Sequence, residues 1–145
     1  MNDNTTNKLE CCLFFTANSL ARVITKMGED EFANVGMTPS YAFLLTLAIE
    51  TPGISQKELA AHLHMAPSTV SRFVDALIHK GLVSKKIEGR NTYIFPTDQG
   101  FLRQAEIQKA WHSLYQRYSE ILGKDQGDLL TEMTAKASRK LSSTQ

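Results

Sequence analysis

The sequence predicts a mainly α-helical fold with one small β-hairpin: a winged helix-turn-helix core flanked by N- and C-terminal dimerisation helices. Three observations carry that expectation. Two short helical patterns, opened by Ser55 and Pro67, are separated only by a tight turn. A pair of β-prone runs around Glu88-Gly89-Arg90-Asn91 follows directly. Amphipathic stretches at both ends carry more apolar surface than the short core between them can cover.

In chain order, Leu9, Leu13, Ala17, Leu20, Ile24 and Met27 recur at steps of three and four, the period of an amphipathic helix, with Gly28 as its end. Residues 29–36 then read as a connector. Thr38-Pro39 supplies an N-cap and a first-turn proline for a second helix carrying Tyr41, Leu44, Leu45 and Ala48 on one face. Thr51-Pro52-Gly53 stops it. Ser55 and Glu58 form a capping box with Ile54 placed to staple onto Leu59, opening a short helix to about His64. Pro67 starts the next, whose buried stripe is Val70, Phe73, Val74 and Leu77 and whose end is Gly81. The runs Leu82 to Ile87 and Thr92 to Phe95 make the hairpin. Thr97 caps one long helix to Leu122, the stretch Gly123 to Gly127 breaks it, and Leu129 to Leu141 forms the last. The chain is thus expected to be one domain over 1–145, with a core at about 37–98 and dimerisation helices at about 7–27 and 98–141. Such broad apolar arms imply a homodimer built by the termini.

Composition narrows the class. The chain has 145 residues, 42% hydrophobic and 21% charged, ordinary values for a folded soluble domain. Its net charge is only +1, so any charge-based recognition must come from local distribution. The longest near-apolar stretch, Tyr41 to Ile49, is too short to span a bilayer, and the start Met1-Asn2-Asp3-Asn4 lacks the basic, apolar run of a secretory signal. The only cysteines, Cys11 and Cys12, are adjacent and fit a reducing compartment, so a cytoplasmic protein without membrane contact is expected. No phosphate loop, GxSxG elbow or HExxH pair occurs, which argues against an enzyme. His62, His64 and His112 stand at spacings that build no zinc site, and no cofactor is implied.

The helix from Pro67 has a second face, made by Ser68, Ser71, Arg72, Asp75 and His79. Small hydroxyls permit close approach to a nucleic acid surface, and an arginine can bond a guanine edge through two hydrogen bonds. Between Ile54 and Thr92 there are six basic residues against three acidic, although the whole chain is near neutral. Lys85, Lys86 and Arg90 cluster in the hairpin, within reach of phosphates or the minor groove. Double-stranded DNA is therefore the expected partner. The alternative is a winged-helix protein-interaction module without DNA binding, since one fold serves both ends.

The runs Met37-Thr38-Pro39-Ser40-Tyr41, Gly53-Ile54-Ser55-Gln56-Lys57-Glu58-Leu59-Ala60, Ala66-Pro67-Ser68-Thr69-Val70-Ser71-Arg72 and Lys80-Gly81-Leu82-Val83 closely resemble the MarR family of bacterial transcription regulators. The resemblance implies a homodimeric repressor of a near-palindromic operator, released by a small-molecule effector or an oxidant. It places Gln56, Ser68, Thr69, Ser71 and Arg72 against DNA. In the wing it makes Arg90 the tip residue, with Glu88 as the acid that braces it. This wing is shorter than the family's usual pattern and has Gly89 where a basic residue is common, which shifts weight to Lys85 and Lys86. Pro96-Thr97-Asp98-Gln99-Gly100 is similar to the Leu-Thr-x-x-Gly that opens the family's dimer helix, with proline for leucine.

Two kinds of signal are compatible with the residues. Cys12, eight residues before Leu20, is similarly placed to the cysteine of the family's hydroperoxide-sensing branch, and Tyr41 to a tyrosine that bonds it there; Lys26 and Met27 occupy the region of that branch's second tyrosine. A buried free cysteine can equally be plain packing. The other kind is a small aromatic or amphipathic ligand, lined by Phe14, Phe15, Tyr41 and Trp111; the alternative is that these aromatics are core and that no ligand binds.

Overall fold

The computed structural model describes residues 8–144. The Met1-Asn2-Asp3-Asn4 start and the first position of the expected N-terminal arm lie outside the described residues. Residues 8–10 are helical, and the chain then breaks at Cys11 and Cys12, so the first amphipathic stretch is not one helix from Leu9. Helix α1 runs Leu13–Phe32, with Cys12 at its N-cap in extended backbone. It continues past Gly28, where the sequence suggested an end. A Cβ on Gly28 would sit 3.3 Å from Pro39 Cγ and 3.8 Å from Leu114 Cδ2, so this glycine permits close helix approach rather than termination. A 3-10 turn, Ala33–Val35, and Gly36 at φ +77 then redirect the chain.

Helix α2, Pro39–Glu50, opens as expected: the Thr38 hydroxyl accepts from the Tyr41 N–H at 3.4 Å. Strand β1 is Ile54–Ser55, and α3 is Gln56–Leu63. The full capping box forms, with the Glu58 N–H donating to Ser55 Oγ at 3.0 Å and the Ser55 N–H to Glu58 Oε2 at 2.9 Å. The turn to α4, Pro67–His79, passes through His64 at φ 52, a left-handed conformation that histidine tolerates better than most side chains.

Strands β2, Val83–Glu88, and β3, Asn91–Pro96, form the hairpin, and Gly89 takes the positive φ of 61 required at the first loop position of a type II′ turn. The sheet has a third strand that periodicity did not show, because β1 is only two residues long. It pairs antiparallel with β3 in the order β1-β3-β2, with Ile54 opposite Ile94. The expected helix 98–122 is two: α5, Asp98–Leu102, and α6, Gln104–Leu122, meeting at Arg103. The Thr97 hydroxyl caps α5 by accepting from the Gly100 N–H at 3.1 Å and donates to the Gly81 carbonyl at 2.6 Å, tying the wing base to the arm. Only Gly123 separates α6 from α7, Lys124–Ser142, which begins before the expected Leu129 because Gly127 packs against the Tyr118 ring inside the helix.

One apolar core unites the lobe: Leu44, Leu45, Leu59, Val70, Val74, Leu77 and Ile94 are fully buried. The arms are different. Leu13, Phe14, Val23, Ile121 and Met133 are each more than half exposed. No single described helix is long and apolar enough to cross a membrane.

Candidate nucleic-acid interface

Burial of the Val70–Val74–Leu77 stripe turns the opposite face of α4 outward. Ser68, Arg72, Asp75 and His79 are exposed on it, and Thr69 and Ser71 are half-buried at its edges. Gln56 is half-buried in the first turn of α3. Ala66, at the α4 N-cap, offers no side-chain acceptor, unlike Thr38, Ser55 and Thr97 at theirs. The positive end of the α4 dipole thus faces outward beside Ser68.

The wing is exposed from Ser84 to Asn91. Its cations are not equivalent. Lys85 Nζ lies 3.3 Å from Asp75 Oδ1 of α4, and Lys86 Nζ lies 2.9 Å from Glu88 Oε1. Arg72 and Arg90 have no ion-pair partner among the described residues, so their guanidinium groups are available to phosphates and base edges. The expected Glu88 brace for Arg90 is not the pairing seen. Lys86 and Glu88 alternate onto the same face of β2, whereas Arg90 lies in the turn beyond it. The partnership of Asp75 with Lys85 escaped the sequence reading. Its one sign was a lone acid on an otherwise hydroxyl-bearing and basic face.

Helix α3 is held firmly beneath this surface. The Ser55 backbone N–H, and then its hydroxyl, hold the Glu58 carboxyl below the usual carboxylate range. Among the described residues, no cluster of three or more His, Cys, Asp or Glu side chains could hold a metal ion.

The candidate sensor residues are not gathered in one protomer. Cys11 and Cys12 are exposed. Tyr41 packs on Phe73 with ring centroids 4.6 Å apart and lines a cavity of about 340 Å³ with Glu29, Phe32, Met37 and Lys80. Of the four expected pocket residues, only Tyr41 lines this cavity. Trp111 instead stacks on Phe43 at 4.3 Å and meets Phe32 edge-on at 4.5 Å, and Phe14 is 80% exposed. Phe15 is half-buried and lies outside the cavity lining.

A family model described as the MarR family matches residues 37–90, the stretch that holds α2, α3, α4 and the wing up to its tip. Over that stretch, 54 of the 145 residues, the chain is similar to the MarR family. Among curated relatives, the uncharacterized HTH-type transcriptional regulator YybA of Bacillus subtilis (strain 168) is 29% identical over 84 residues, 56% of this chain and 56% of YybA; the match thus spans little more than half of that relative's length. Among solved structures, the transcriptional repressor CouR, a Rhodococcus jostii RHA1 protein, bound to a 23-mer DNA duplex is 25% identical with a TM-score of 0.83, covering 90% of this chain and 95% of CouR. CouR bound to p-coumaroyl-CoA is 26% identical with a TM-score of 0.83, covering 91% and 95%.

Proposed function

We propose that this chain is a homodimeric, non-enzymatic transcription regulator of the MarR family that binds near-palindromic duplex DNA as a repressor and lets go on a signal. The carrying observation is the outward face of α4, with Ser68, Ser71 and Arg72 beside a basic wing, above a fully buried stripe. In this reading Arg72 reads a base edge in the major groove, and Gln56, Ser68, Thr69 and Ser71 fix the register through phosphates and base edges. Arg90 reaches from the wing tip, and Lys85 and Lys86 add sequence-independent attraction. CouR, whose fold this chain shares, is a repressor solved on a DNA duplex, which supports the assignment. The exposed apolar side chains of α1, α6 and α7 support a dimer with arms at about 7–27 and 98–141 around one core at about 37–98. A cytoplasmic location follows from a chromosomal target.

For the signal, the cavity beside Tyr41 favours a small ligand, since it opens between the arm and the DNA-facing lobe. A second reading is oxidation of Cys12, favoured by its exposure as a free thiol at the N-cap of a twenty-residue helix.

Selection of bound duplexes from a random library tests the function. Enrichment of a near-palindrome with half-sites about one helical turn apart is expected. A library that stays random after repeated rounds contradicts it and favours the protein-interaction alternative.

A further inference from the structure

Two cations from different elements reach the same turn. At the break between α5 and α6, the Arg103 guanidinium donates through Nη2 to the Val35 carbonyl oxygen and through Nε to Glu106 Oε2 at 3.2 Å. At the C-cap of α4, Lys80 Nζ donates to the next carbonyl, that of Gly36, at 3.2 Å. These carbonyls end the α1 rod and its 3-10 extension, where the helix leaves acceptors unsatisfied and its dipole is negative. Each cation therefore meets both a hydrogen-bonding need and a favourable field.

The positions matter more than the bonds. Among the described residues, Lys80 to Gly36 is the one side-chain hydrogen bond from the lobe 39–96 to α1 or its turn. The arms are tied to each other separately, by Arg117 Nη1 at 3.4 Å from Asp30 Oδ2 and 3.6 Å from Glu31 Oε1. With Arg103 gripping Val35 from the N-cap of α6, the turn 33–36 becomes the joint where α1, the start of α6 and the end of α4 meet. Gly36 at φ +77 lets the chain present two successive carbonyls to the two donors.

We propose that Lys80 and Arg103 are positioning residues for DNA recognition: together they fix the attitude of α4 relative to the arms, and so the distance between the two α4 helices of the dimer. The inference rests on the proposed function. It gives both residues a role without any contact to DNA.

The test uses the full-length protein on its selected duplex and on two others with one base pair added or removed between half-sites. Wild type binds the misspaced duplexes roughly tenfold or more weakly, as for a faulty base contact. Lys80→Met and Arg103→Met, which keep the aliphatic stems, shrink that penalty by roughly two- to thirtyfold, the range by which coupling residues act. Lys80→Arg restores it. Arg72→Ala serves as control, weakening all three duplexes while leaving the spacing penalty unchanged. A general loss of folding would also leave the ratio untouched, so the ratio separates positioning from mere stability. Should Arg103→Met not fold, Lys80→Met at its exposed position carries the test alone. Variants that discriminate spacing as wild type does overturn the inference while the function stands. A wild type indifferent to spacing overturns the two-half-site function and this inference together.

Discussion

Asp75 on α4 and Lys85 on β2 face each other across 3.3 Å, joining the recognition helix to the wing through an ion pair with one end on each. Both side chains are more than a third exposed, so the pair adds little to stability. Its consequence is electrostatic. A lysine that would otherwise meet a phosphate is shared with a carboxylate on the surface proposed to face DNA.

Replacing Asp75 by Asn should therefore release Lys85. Affinity for any duplex should rise, and the dependence of log affinity on log salt should steepen by about one unit, the contribution of one phosphate contact. Titrations at several salt concentrations measure this. A sequence-selective loss of affinity would instead make Asp75 a reader of base edges.

Gly100 is set by packing rather than by its own conformation. A Cβ there would run into the Leu82 backbone oxygen and lie 3.2 Å from Leu45 Cδ1. Gly100→Ala should cost about 2–3 kcal/mol, the upper part of the overpacking range, read as a lower melting temperature. At the wing tip, Gly89 has nothing within 4 Å of its would-be Cβ, so a side chain there would meet backbone strain at φ 61, about 1–2 kcal/mol, and no clash. A Gly100→Ala protein that melts at the wild-type temperature would contradict the packing seen at the base of the wing.

The capping box predicts a pH dependence. Glu58 has a folded-state pKa below its ordinary value because Ser55 donates to the carboxylate. Its stabilisation is therefore complete above the ordinary pKa of 4.5 and is lost as pH falls through the lower folded value. Chemical denaturation of wild type and Glu58→Ala should differ at neutral pH and converge in acid. Ser55→Ala should cost about 1 kcal/mol at neutral pH. A gap that widens on acidification would reverse the assigned sign.

The thiol reading of the signal makes its own prediction. If Cys12 is the sensor, organic hydroperoxide abolishes DNA binding by wild type and spares Cys12→Ser. Identical behaviour of the two proteins returns the signal to a small ligand at the Tyr41 cavity. Binding anisotropy before and after oxidant distinguishes these outcomes.

Helix starts were legible in the sequence because capping is local chemistry: Thr38, Ser55, Pro67 and Thr97 each act at the expected position. Helix interiors were less so. Gly28 looks like a stop but serves close packing against Pro39, and Arg103 interrupts the long arm with no glycine or proline to announce it. Both depend on neighbours distant in sequence. The same division holds at the site. The outward face of α4 follows from periodicity alone, whereas the pairing of Lys85 with Asp75, of Lys86 with Glu88, and of Lys80 with the Gly36 carbonyl arises only once the hairpin and the arm are folded against the lobe.

The most direct test of the account is fluorescence anisotropy on duplex DNA from upstream of this protein's own gene, against a scrambled duplex, for wild type and Arg72→Ala. The account predicts selective, salt-sensitive binding by wild type, and a loss of roughly 1–3 kcal/mol on the specific duplex alone for the variant. Selective wild-type binding that Arg72→Ala leaves intact would contradict the placement of α4 in the groove, and wild-type binding to neither duplex would contradict this target.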